Sequence, residues 1–395
     1  MDRMKRNVVL LAGCQALMMS ANSLLLATSA LVGSRLAVDA TLATLPLAMQ
    51  FLATMLTTFP ASFLMARIGR RGGFMVGSLL GLAGAGLAAY AIVAHSFALF
   101  VGAAVLFGAH NGFGTFYRFA ASDTATPDYR PTAISYVMAG GVVAAFVGPN
   151  LANWTSDWLG SAQFAGSFLA LLGIYVVSLI AVLFIDIPRA VRHEAAASAR
   201  PLGTIARQSV FVVAALAAAL GYGVMNLVMV ASPLAMHNHA HPFSDTAFVI
   251  QWHVFAMFAP SFFTGHLIKR FGVLNMLIAG AVLNAACVVV NLSGTSVLHF
   301  WSALFLLGVG WNFLFVGGTT LLTEAYREEE KAKTQALNDF LMYTSITLTS
   351  FTAGALQHRY GWEVVNLGVV PLIVLVLGAV IWLLLRRRAL SFREA

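Results

Sequence analysis

Two short motifs carry the clearest chemistry in the chain: Met225-Asn-Leu-Val-Met229 and His253-Val-Phe-Ala-Met257. Within each, two ligand-type side chains stand four residues apart, which on a helix places them on one face, one turn above the other. The segments flank residue 241, with Met229 and His253 equidistant from it and Met225 and Met257 equidistant one turn further away. Two antiparallel helices would set Met229 opposite His253 and Met225 opposite Met257. Three thioethers and an imidazole form a soft, neutral ligand set that favours Cu(I) over magnesium, calcium or manganese. Thioethers bind without losing a proton, so such a site can also let its ion go. Methionine is equally a common filler of apolar helices. Either motif alone therefore reads as packing, and it is their co-occurrence at matched depth that points to a metal.

Secondary candidates surround this set. Met236, His237, His239 and His241 make a short His-rich tract, a composition that captures metal ions, expected as an outer loop at the mouth of the deeper site. Met18, Met19, Met49, Gln50, His110 and Met138 fall inside apolar runs, where each alone reads as packing. His110 stands apart because a buried imidazole needs a hydrogen-bond partner. Asp186, Glu324 and Asp339 sit near the ends of apolar runs, and no carboxylate falls at mid-depth.

The elements that must position these residues follow from composition. Of 395 residues 59% are hydrophobic and 10% charged, against about a quarter charged in soluble chains. Twelve apolar runs, each near the roughly twenty residues that span a hydrocarbon core as a helix, fill almost the whole length. The expectation is an all-α membrane protein of twelve transmembrane helices. The first run is too long for a signal peptide and leads directly into the second, so it is expected to be retained.

A net charge of +8 does not point to nucleic acid, because the basic residues form short clusters beside the spans. With twelve spans, only Arg35 and Arg359 of the 23 basic residues fall on one face, so both termini are expected in the cytoplasm. Cys14 and Cys287 lie inside runs and give neither a disulfide framework nor a CxxC motif. There is no nucleophile triad, phosphate loop or carboxylate pair at a plausible depth. No enzyme activity and no cofactor are expected.

The chain repeats itself at an offset of 203, which aligns Ser29 with Ser232 and Gly69 with Gly272. The loop Ser62-Phe-Leu-Met-Ala66-Arg67-Ile-Gly69-Arg70-Arg71 is answered by Gly265-His-Leu-Ile-Lys269-Arg270-Phe-Gly272. This resembles the G-x-x-x-D-R-x-G-R-R loop of the major facilitator superfamily, with Ser62 in place of the first glycine and Ala66 in place of the aspartate. The resemblance implies two pseudo-symmetric six-helix bundles, expected at 1–188 and 207–395 with a cytoplasmic linker at 189–206, rocking about cargo held near the midplane. Gly140, Gly141, Gly148 and Pro149 match the G…GP motif of antiporters in part, and close helix packing explains them equally well.

The two sulfur motifs together resemble those of the CcoA-type copper importers, a bacterial branch of that superfamily. The resemblance implies a multi-pass, monomeric carrier of the bacterial inner membrane. Its cargo would be copper, free or with a small chelator, moved inward by alternating access to supply respiratory oxidase assembly, with Met225, Met229, His253 and Met257 as ligands. The copper ion is then cargo, not cofactor. The 203-residue repeat pairs these positions with Asn22, Leu26, Gln50 and Thr54, so the ligand set has no counterpart in the first half. The alternative is a proton-coupled exporter of drugs or metabolites in which the methionines form an adaptable wall. A copper-binding receptor is the second rival, although the short tail adds no signalling domain.

Overall fold

The computed structural model describes residues 3–126, 129–187 and 200–394. Its helices are α1 (Arg3–Leu36), α2 (Leu45–Val93), α3 (Phe97–Gly114), α4 (Tyr117–Thr124), α5 (Arg130–Thr155), α6 (Ala165–Leu183) and α7 (Leu202–Ala206). They continue with α8 (Ser209–Asn238), α9 (Phe243–Phe258), α10 (Ser261–Phe271), α11 (Val273–Ser293), α12 (Val297–Leu322) and α13 (Lys331–Glu394). Starts follow local chemistry: Pro46 opens α2, where a missing N–H costs nothing, and the Ser96 hydroxyl caps Leu99 N–H at α3.

Among the described residues nine helices, and a tenth formed by α9 and α10 across a 45° bend, are long and apolar enough to cross a bilayer. Two of these apolar stretches are 54 and 57 residues long. At 1.5 Å per residue that is about 80 Å, far beyond a hydrocarbon core of roughly 30 Å. Each is broken once, at Gly69 (φ 84°, ψ 164°) and at Gly361 (φ 79°, ψ −177°). Each therefore supplies two crossings, and the described residues hold the expected twelve. Phe59, Phe63, Val289 and Leu298 turn most of their surface outward, as side chains meeting lipid do.

The chain divides into two compact units, Met1–Arg192 with Pro233–Phe255, and His193–Ser232 with Ala256–Ala395. The linker expected at 189–206 lies outside the described residues as far as 199. From there, Arg200 is tied to Glu330, which ends the turn before α13. The Arg200 Nε and Nη2 groups donate to Glu330 Oε1 and Oε2 at 2.7 and 2.6 Å, and the Arg200 backbone N–H adds a bond of 2.9 Å. The Glu330 side chain has no exposed surface.

In the first unit α5 lies close against α1. A Cβ at Gly148 would overlap the Ser20 carbonyl oxygen, so the glycine serves close packing. Arg70, at the turn inside α2, donates through Nη2 and Nε to Asp123 Oδ2 at 3.0 and 3.3 Å. Asp123 thus gives the basic loop the carboxylate that Ala66 does not.

The repeated turn has one backbone form, since Gly272 (φ 85°, ψ 150°) nearly superposes on Gly69 in dihedral space. A side chain there is strained by about 1–3 kcal/mol. Gly272→Ala should lower thermal stability in detergent by that order, whereas Gly265→Ala, inside α10 with nothing within 4 Å of its added Cβ, should leave it level or slightly raised.

Arg200 holds the Glu330 carboxyl well below the usual carboxylate range. A depressed folded-state value contributes stability that is fully present above the unfolded carboxylate pKa, about 4.3, and is lost as pH falls below it. Thermal unfolding of Glu330→Gln should therefore show a flatter acid limb than the native chain below about pH 4, and lower stability at neutral pH.

Candidate functional site

In the second unit α8 carries Tyr222, Met225 and Met229 along one stripe, spaced at i, i+3 and i+7. The neighbouring Asn226 fixes the helix by donating to the Ile346 carbonyl, Thr349 Oγ1 and Ser350 Oγ on α13 at 3.1, 3.0 and 2.7 Å. Met225 and Met229 are each 2% exposed and Met257 6%. None of the three faces lipid. Tyr222 meets the rings of Trp311 and Phe315 edge-on at 5.2 and 6.1 Å, Trp311 and Phe315 stack at 4.9 Å, and Phe258 meets Trp311 at 5.9 Å. This aromatic cluster draws on α8, α9 and α12. Only the i, i+4 spacing of Trp311 and Phe315 signalled it in the sequence.

The bend after Met257 has a local cause. Pro260 cannot donate a backbone hydrogen bond and so breaks the helical ladder. Asn312 Nδ2 on α12 supplies a donor to the Met257 carbonyl at 2.7 Å and to Ser261 Oγ at 2.6 Å, while Asn312 Oδ1 accepts from Thr264 Oγ1 at 2.7 Å. One amide re-satisfies a break that hydrocarbon would otherwise penalise.

In the first unit His253 on α9 is fully buried. Its neighbour Gln251 accepts from Asn150 Nδ2 on α5 at 2.5 Å, and Trp252 and Phe255 meet Phe146 edge-on at 6.3 and 5.9 Å. A second polar group draws on α1, α2 and α3: Asn22 Oδ1 accepts from Gln50 Nε2 at 3.0 Å and from Asn111 Nδ2 at 2.8 Å. Gln50 was a candidate from the sequence, but Asn111 was missed, because nothing in its spacing sets it apart.

One expectation of local shape is corrected. The tract Met236, His237, His239 and His241 is not an open loop. Met236 is fully buried inside α8 and His237 belongs to its last turn. The His241 N–H bonds back to the Met236 carbonyl and the Ala240 N–H to that of His237, with Ala240 left-handed at φ 60°. That is a Schellman ending, so the residues terminate a helix. Among the described residues no three His, Cys, Asp or Glu side chains are grouped to hold a metal ion, so the three imidazoles do not converge. The partner that His110 requires is the Gly77 carbonyl, which accepts from Nδ1 at 2.8 Å, and its ring meets Tyr175 edge-on at 4.8 Å. The imidazole joins α3 to α2.

A family model described as Major Facilitator Superfamily matches residues 10–251 and again 214–394. The chain belongs to the major facilitator superfamily. This facilitator is 43% identical to the riboflavin transporter RfnT of Brucella anthropi (strain ATCC 49188), over 94% of each chain. It is 30% identical to the uncharacterized transporter YddS of Bacillus subtilis (strain 168), over 80% of this chain and 76% of that one. It is 32% identical to YdeG of the same organism, also uncharacterized, over 74% and 70%. Membership makes it a multi-pass membrane carrier. The likenesses lend no support to the copper branch expected from the sulfur motifs.

Replacing Asn312 by leucine would leave the Met257 carbonyl without its donor, at a cost of about 1–3 kcal/mol for a buried unpaired group. Thermal unfolding of the purified facilitator should show the loss, with cargo transport falling in step because the α9 to α10 bend relaxes.

Proposed function

We propose that this facilitator carries riboflavin, or a planar heterocycle closely like it, into the cell across the bacterial inner membrane. The observation that carries the reading is the 43% identity to a riboflavin transporter over 94% of both chains, a likeness that reaches through both halves. Two features support it. The Tyr222, Phe258, Trp311 and Phe315 cluster offers ring faces and edges to a flat aromatic cargo. The amide group of Asn22, Gln50 and Asn111 offers neutral hydrogen bonding without charge. The carrier works as a monomer by alternating access, with both termini in the cytoplasm as the basic clusters suggest.

A second reading keeps copper as cargo, with Met225, Met229, His253 and Met257 as its ligands. What favours it is that all four side chains, three of them thioethers, are buried in the protein and not turned to lipid. The repeat adds a register: the counterparts of Met225 and His253 are Asn22 and Gln50, which are hydrogen-bonded. In this reading the carrier supplies copper for oxidase assembly. A proton-coupled exporter has less support, since no mid-span carboxylate is present to carry the proton.

Purified protein in proteoliposomes, given labelled riboflavin and labelled copper separately, decides between them. The expected outcome is riboflavin entry well above protein-free vesicles with copper at background. Copper entry lost in His253→Ala and Met229→Ala, with no riboflavin movement, would replace the first reading by the second.

A further inference from the structure

The amide group of the first unit has a feature that packing does not require. Asn22 Oδ1 accepts two hydrogen bonds, from Gln50 Nε2 and Asn111 Nδ2, which uses both lone pairs of that oxygen. The orientation of all three amides is thereby fixed. What remains is the Asn22 NH2 group as donor and the Gln50 Oε1 and Asn111 Oδ1 oxygens as acceptors. None of these atoms bonds to another described residue, and none is among the fully enclosed polar atoms. Three spans therefore leave unused amide valences beside one shared amide oxygen, Asn22 Oδ1, inside the membrane zone. Facing hydrocarbon, each would cost several kcal/mol. Facing cargo, they are recognition groups.

The surrounding helices hold the group rigid. The Thr54 hydroxyl lies 2.9 Å from the Gln50 carbonyl and 3.1 Å from the Gly108 carbonyl, one turn before Asn111. A Cβ at Gly108 would overlap the Gln50 carbonyl oxygen, so α2 and α3 meet there backbone to backbone. The His110 bond to Gly77 fixes α3 from its other side. A site whose supporting atoms are locked in this way loses little entropy on binding.

We infer that Asn22, Gln50 and Asn111 form a recognition site for a cyclic imide edge, the C(=O)–NH–C(=O) arrangement of a pyrimidine-dione ring. Each part of the edge has its complement. The imide N–H donates to Gln50 Oε1 or Asn111 Oδ1, and an imide carbonyl accepts from the Asn22 NH2 group. The site bears no charge, so it selects a neutral cargo and holds it by direction. Riboflavin carries such an edge, and the inference rests on the heterocycle reading of the cargo. It adds which end of the molecule the first half of the carrier reads. The 203-residue repeat puts Met225, His253 and Leu314 at the corresponding places, so the second half cannot present the same edge-reading pattern.

The test uses the full chain purified in detergent and the quenching of flavin fluorescence on binding, with riboflavin and 3-methylriboflavin as probes. Methylation replaces the imide N–H by N–CH3 and leaves both carbonyls in place. A site built to accept that hydrogen bond should bind riboflavin at least about tenfold more tightly than the methylated form. Gln50→Met and Asn111→Leu should each weaken riboflavin binding, and whichever of the two removes the imide acceptor should erase that preference, leaving the two probes alike. Equal binding of both probes by the native chain overturns the site while leaving flavin transport standing, and needs no variant to fold. The native preference kept in both folded variants overturns it as well. A native chain that binds neither flavin overturns the transport reading and the site together.

Discussion

Hydrocarbon offers no partner to a polar group, and this single constraint organises the interior of the carrier. Asn226 bonds α8 to α13, Asn312 answers the Met257 carbonyl at the Pro260 bend, Asn291 donates to Asn366 at 2.8 Å, and His110 takes the Gly77 carbonyl. In each case a polar side chain sits where another helix supplies its complement, and the pair fixes two spans against one another. The same logic makes an open valence informative. The unused ends of Asn22, Gln50 and Asn111 are not required to join helices, because their other ends already do so.

Duplication copied the backbone more faithfully than the chemistry. Gly69 and Gly272 share an unusual region of dihedral space, and each is followed by the next span. Around this common turn the side chains differ. Arg70 reaches Asp123 in the first half, whereas the position 203 residues later is Val273. Deeper in the spans the divergence is greater, with amides at 22 and 50 answered by sulfur and imidazole at 225 and 253. A scaffold needed only for symmetry would not diverge in this way.

The number and order of the spans were legible because hydropathy over twenty residues is a one-dimensional signal, and lipid reads it the same way. The turn glycines were legible because their neighbours repeat. Asn111 was not, since its importance arises only when α1 and α2 bring Asn22 and Gln50 beside it. Nor was the aromatic cluster, whose members come from three helices. The shape of the His-rich tract was hidden for a different reason. Composition marks His237, His239 and His241 as ligands, but backbone geometry uses them to end α8, with left-handed Ala240 turning the chain between the last two. Metal capture needs convergence, which composition does not report.

The absence of formal charge among the inner groups has a consequence for mechanism. A charged group buried with its counter-ion binds tightly but must be desolvated and resolvated with each cycle. Amides, thioethers and aromatic rings, if they hold the proposed cargo, do so through direction and contact, and such interactions can be exchanged for water at modest cost. A carrier must release what it binds on every turn. An interior built this way fits the proposed neutral, flat solute better than an ion, and the close α2 to α3 approach at Gly108 ties the helices that carry Gln50 and Asn111.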